Sequence, residues 1–118
     1  MCGITGIIKN QISNNLNLEY QIKKMSSSLE HRGPDNSDYW LDNNNRVALG
    51  HQRLSVIDLS NAGNQPMQFL KGRFVLCFNG EIYNHLEIRK EIDSFNKEIT
   101  KWNSSSDTET LLKAFETW

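Results

Sequence analysis

Met1-Cys2-Gly3-Ile4-Thr5-Gly6-Ile7-Ile8-Lys9 opens the chain, and the architecture is read outward from it. From Gly3 to Lys9 the residues alternate around Ile4, Ile7 and Ile8 with the period of a strand, so a sheet begins almost at the terminus and pins it. Beyond the polar run Asn10 to Asn15, residues Leu18, Ile22, Met25 and Leu29 recur at helical spacing. That spacing predicts an amphipathic, core-packing helix over Asn17 to Glu30. His31-Arg32-Gly33-Pro34-Asp35 then breaks the helix, because Gly and Pro together cannot continue it and Pro drives the preceding residue toward extended geometry.

Tyr39 to Leu41 and Arg46 to Ser55 read as strands joined across the turn-prone run Asp42-Asn43-Asn44-Asn45 as a hairpin. Asn61 to Pro66 is the next loop. Phe74-Val75-Leu76-Cys77-Phe78 is a continuous apolar run between Gly72 and Gly80, the pattern of a strand buried on both faces and central in a sheet. Asn84 to Ile92 predicts a short helix with Leu86 facing inward, and Glu98 to Trp102 a further strand. Ser106 with Glu109 three residues on is a capping-box signature, followed by Leu111, Leu112, Phe115 and Trp118 on one helical stripe. No stop signal follows Trp118, so the sequence is expected to end inside a domain. Periodicity alone supports one mixed α and β unit without linker or repeat.

A chain of 118 residues buries roughly two-thirds of its unfolded surface, enough for a core. The apolar fraction of 37% with 23% charged residues fits a soluble globular domain rather than a disordered one. Thirteen basic against fourteen acidic residues leave no cationic footprint for a phosphate backbone, so nucleic acid is not expected as a partner. The apolar runs are too short to cross a bilayer and the first residues lack a secretion signal, so no membrane partner and a cytoplasmic location are expected. In a reducing compartment Cys2 and Cys77 are read as separate thiols.

Cys2 becomes chemically interesting through its position. If Met1 is removed, the residue carries both a thiol and a free α-amine, so nucleophile and base share one residue; with Met1 attached the nitrogen is an amide and accepts no proton. Cys77, inside the apolar run, reads as core. His31, His51 and His85 show no close metal-ligand spacing with the cysteines, and no metal is assigned.

Four segments taken together, Met1-Cys2-Gly3-Ile4, His31-Arg32-Gly33-Pro34-Asp35, Arg53-Leu54-Ser55-Val56-Ile57-Asp58 and Asn79-Gly80-Glu81-Ile82-Tyr83-Asn84, resemble in order and spacing the glutaminase domain of the asparagine synthetase family. The resemblance covers nearly the whole chain, residues 1–118, as the N-terminal portion of a class II glutamine amidotransferase domain. It implies an α+β, N-terminal-nucleophile-hydrolase-like αββα sandwich of antiparallel sheets, incomplete in this chain.

The resemblance also implies roles. Cys2 would attack the side-chain amide of L-glutamine to form a thioester, releasing ammonia and then glutamate. The Asn79 side chain and the Gly80 backbone N–H would receive the oxyanion, Gly leaving the approach to backbone unobstructed. Without the other segments, Asn-Gly after an apolar strand reads first as a plain turn. Arg53 would hold the substrate α-carboxylate through its planar fork, against the alternative of a surface cation. Leu54, Ser55, Val56 and Ile57 would line the pocket, although Leu54 and Val56 alone read as core. Asp107, with Glu81 beside it, would receive the α-ammonium, yet Asp in a first helical turn is also favoured by the macrodipole.

No cofactor is implied for the glutaminase step; ATP and Mg²⁺ belong to a synthetase domain or subunit, the implied partner, which is absent from these residues. The competing reading is a truncated, inactive glutamine-binding or self-associating module, since a truncated sheet exposes edges and apolar area and would favour a homodimer.

Overall fold

The computed structural model describes residues 1–10, 15–95 and 100–118. Three strands, β1 (Gly3–Ile8), β2 (Asn36–Leu41) and β3 (Val47–Arg53), form an antiparallel sheet in the order β1-β3-β2. Gly3 pairs with Gln52 and Ile8 with Val47, while Asn36 pairs with Arg53 and Leu41 with Ala48. The first strand and the Asp42–Asn45 hairpin are therefore as expected. The Asp42 carboxylate closes that turn by accepting from the backbone N–H groups of Asn44, Arg46 and Val47.

Helix α1 (Asn15–Ser27) packs on this sheet. Leu18, Ile22 and Ala48 form the buried cluster, flanked by Ile7, Tyr39 and Leu41. The helix stops at Ser27, short of the expected Glu30, and a 3-10 turn takes over at Glu30–Arg32. Met25 is exposed and Ser26 is buried in its stead, because Leu18, Ile22 and Ser26 lie four residues apart on one straight stripe. Small residues let the helix come close: a Cβ on Gly50 would stand 2.2 Å from Ser26 Oγ, and Ser26 Oγ lies 3.0 Å from Thr5 Oγ1.

Behind the other face stand β4 (Met67–Phe69) and β5 (Phe74–Leu76), a two-stranded antiparallel sheet, preceded by a 3-10 turn at Asn61–Gly63. Helices α2 (His85–Phe95) and α3 (Asp107–Thr117) pack on each other, with α3 against β4 and β5. The layers run helix, sheet, sheet, helix, the mixed architecture that the resemblance implied.

Several local expectations change. The apolar run does not make a central strand: β5 is paired by β4 alone among the described residues and stays half-buried, its Phe74 ring covered edge-on by Phe115 at 5.4 Å. Leu86 faces outward at 62% exposure, because α2 meets α3 further along, where Arg89 reaches Thr110 and Ile92 is buried. Of the predicted strand Glu98 to Trp102, residues 98 and 99 lie outside the described residues, and Thr100 to Trp102 are not strand. Ser106 does cap α3, accepting from the Thr108 N–H. Glu109 does not complete a capping box; its carboxylate reaches the N–H groups of Asn103 and Ser104 and pairs with Lys113. Leu112 is buried, whereas Leu111, Phe115 and Trp118 line an open apolar groove with Ile82 and Ile88, so the predicted stripe is divided between two faces.

Candidate functional site

Because Gly3 pairs with Gln52, Cys2 falls at the end of the ladder where β3 releases Arg53 and Leu54. Cys2 is half-buried. Its Sγ accepts from the Leu54 N–H at 3.3 Å and donates toward the Leu54 carbonyl at 3.6 Å. The segment His31 to Asp35, which ends the helical pattern and is one of the four resemblance segments, is what braces this corner. Arg32 Nε donates to the Cys2 carbonyl at 3.2 Å. Gly33 passes so close to β3 that a Cβ would stand 2.4 Å from the Gln52 carbonyl oxygen. The Asp35 N–H donates to the Arg53 carbonyl at 3.0 Å, and its carboxylate accepts from the Ser55 N–H at 2.7 Å.

Arg53 is 6% exposed, which excludes the surface-cation alternative. Its guanidinium donates to the Ser60 carbonyl at 2.8 Å, to Asn64 Oδ1 at 2.7 Å and to the Asp58 carbonyl. These bonds use Nη1 and part of Nη2, so among the described residues the Nε–H edge is left for a further planar acceptor. Gly63 lies against the guanidinium; a Cβ there would be 2.3 Å from Nη2. The Asp58 carboxyl is held down to about 2 by the Ser60 hydroxyl, helped against burial by the N–H groups of Ser60 and Ser105. Asp58 thus ties the Arg53 loop to the segment that caps α3.

Past β5, Asn79, Gly80 and Glu81 lie exposed on a rim. The Phe78 ring crowds Gly80, where a Cβ would stand 2.7 Å from Phe78 Cζ. Asp107, buried at the first position of α3, accepts from the Ile82 N–H at 2.9 Å. Here the dipole-favoured position and a role in fixing the rim coincide.

A cleft of about 500 Å³ joins these corners. Cys2, Arg53, Leu54, Val56, Ile57, Asn79, Gly80, Glu81 and Asp107 all line it, together with Asp58, Gly63, Gln65, Tyr83 and Thr108. Of the ten candidates only Ser55 does not, since its N–H is turned to Asp35. Cys77 lies apart with its Sγ toward the Gly50 carbonyl, and burial pushes its thiol up to about 12. His51 is fully buried, which lowers its pKa, and none of the three histidines lines the cleft. Among the described residues no cluster of His, Cys, Asp and Glu could hold a metal ion, and no helix is long and apolar enough to cross a membrane. Sequence reasoning missed Gln65 and Thr108 outright. Only the side-chain hydrogen bonds of the folded chain reveal them.

Two antiparallel sheets with helices packed on them make this an α+β domain consistent with the N-terminal-nucleophile-hydrolase fold. Residues 1–118 match the glutamine amidotransferase domain family, and the chain belongs to it. Its relatives include asparagine synthetase [glutamine-hydrolyzing] 1 of Bacillus subtilis, 40% identical over 98% of this chain and 17% of that protein. Others are a putative asparagine synthetase [glutamine-hydrolyzing] 2 of Methanocaldococcus jannaschii, 34% identical over 98% of this chain and 24% of the relative, and asparagine synthetase B of Escherichia coli, 34% identical over 98% of this chain and 20% of the relative. The chain therefore spans less than a quarter of the length of these relatives.

Proposed function

We propose that this domain carries out the glutamine amidohydrolase half-reaction, L-glutamine plus water to L-glutamate plus ammonia. Once Met1 is removed, the Cys2 α-amine takes the thiol proton as sulfur adds to the γ-amide carbon. The tetrahedral oxygen takes negative charge and is met by the Asn79 amide and the Gly80 N–H. The C–N bond breaks, the amine returns the proton to the leaving nitrogen, and ammonia departs from a γ-glutamyl thioester. Water attacks that ester with its proton passing to the same amine, and glutamate and the thiol are released. The free Nε edge of Arg53 takes the substrate α-carboxylate, and Asp107 with Glu81 takes the α-ammonium.

The observation that carries this reading is the single cleft shared by a half-buried thiol, a buried guanidinium with unused donors and a buried carboxylate. As the N-terminal portion of a longer cytoplasmic protein, residues 1–118 would supply ammonia to a synthetase domain that uses ATP and Mg²⁺ to make asparagine. The test is ammonia release with mass spectrometry after treatment with a γ-electrophilic glutamine analogue. Loss of Met1, a single adduct on Cys2 and background turnover in Cys2→Ala are expected. Unchanged turnover in Cys2→Ala rejects the reading.

A second reading, self-association of an inactive module, is favoured by the open groove in which Phe115 is 72% and Trp118 64% exposed. Sedimentation showing an inert monomer would exclude it.

A further inference from the structure

Gln65 sits between the Asn61–Gly63 turn and β4, buried to 6% exposure, and both ends of its amide are used. Its Oε1 accepts from the Phe78 N–H at 2.5 Å, and its Nε2 donates to Thr108 Oγ1 at 3.1 Å. The orientation is forced, since a backbone N–H only donates and the oxygen must face it. Phe78 immediately precedes Asn79, and Thr108 immediately follows Asp107. The rim segment 79–81 is therefore moored to the first turn of α3 on both sides, through Gln65 before it and through the Asp107–Ile82 bond after it.

We infer that Gln65 is a positioning residue for the donors that meet the developing oxyanion: it sets the separation between the Asn79-Gly80 segment and the α3 N-terminus. This rests on the glutaminase reading. A donor displaced by about 1 Å loses most of its value to a transition state while hardly affecting substrate binding, so the role acts on kcat rather than on KM.

The experiment uses the intact protein with Gln65→Met, which keeps volume and removes both bonds, and Thr108→Val, which removes only the hydroxyl. Active sites are counted by stoichiometric labelling of Cys2 with the γ-electrophilic analogue, and glutamine-dependent kcat is expressed per labelled site. Gln65→Met is expected to lower that kcat about tenfold to a hundredfold with KM changed less than about threefold. Thr108→Val is expected to lower it several-fold in the same pattern.

A purely structural role would reduce the labelled fraction and leave kcat per labelled site intact, which overturns the inference, as does a rise in KM alone. Should Gln65→Met fail to fold, an unchanged kcat in Thr108→Val overturns it. Wild-type protein without Cys2-dependent ammonia release would instead remove the glutaminase reading, and the role of Gln65 with it.

Discussion

Cys2 Sγ rests 3.3 Å from the Leu54 amide nitrogen, so the terminal thiol is held by the residue that follows Arg53 at the end of β3. The same short segment thereby carries the grip on the sulfur and the guanidinium that faces the cleft. The two thiols of the chain consequently sit in different surroundings, one at the corner of the cleft and one half-buried against the Gly50 carbonyl of β3.

Selective alkylation follows. Burial pushes the Cys77 thiol up to about 12, so its reactive thiolate is scarce at pH 8. Treatment of the folded protein with iodoacetamide is expected to modify Cys2 at least tenfold faster than Cys77 by peptide mass mapping. Equal rates would mean that the apolar layer around Cys77 is not closed.

Asp58 makes the loop acid-sensitive. Its folded carboxyl titrates near 2 against an ordinary 3.8, so the stabilisation it supplies is fully present above about pH 4 and is lost as pH falls toward 2. Asp58→Asn turns an amide N–H₂ toward the Ser105 N–H or the Ser60 donors, and is expected to cost about 1–3 kcal/mol at neutral pH. In urea titrations the gap between wild type and variant should close below about pH 2–3; a gap independent of pH would contradict the assignment.

Gly63 has no room for a side chain, since a Cβ would meet Arg53 Nη2 at 2.3 Å. In Gly63→Ala the guanidinium must move off its carbonyl partners. KM for glutamine is expected to rise about tenfold, with kcat much less affected, as for the loss of a charge-assisted contact. Steady-state kinetics with unaltered KM would show that Arg53 does not meet substrate.

Glu109 and Lys113 form a buried pair at 3.2 Å, with Lys113 and Arg89 also standing 4.2 Å from the Trp102 ring centroid on which they lie. Burial opposes the Glu109 charge, but the Asn103 and Ser104 donors and Lys113 more than compensate and hold its carboxyl below the usual range. Glu109→Gln leaves a buried ammonium without its anion and is expected to lower unfolding free energy by about 3–5 kcal/mol. Adding Lys113→Met should recover much of that loss in chemical denaturation. No recovery would place the cost in the Asn103–Ser104 turn instead.

Much of the fold was legible because it is written in short-range patterns. The strand after Cys2, the Leu18–Ile22 face of α1, the Asp42–Asn45 turn and the Ser106 cap each depend on residues within a few positions of one another. The pattern misled where neighbours outvoted it. Arg89, not Leu86, seats α2 against α3, and the Phe74–Phe78 run, apolar enough for a central strand, has one paired edge among the described residues.

The site divides along the same line. Residue types and their order pointed to Cys2, Arg53, Asn79, Gly80 and Asp107 through resemblance, and these do line one cleft. That Ser55 turns away, that Arg53 keeps only part of its fork, and that Gln65 moors the rim are contacts bridging distant parts of the chain, such as Gln65 and Thr108, which stand 43 positions apart. Local sequence determined which segments could be strands, helices and turns, since backbone preferences and side-chain periods act over one or two turns. Only tertiary packing decided which hydrogen-bond donors remain unsatisfied and face the cleft, because a buried polar group bonds whatever the fold brings beside it.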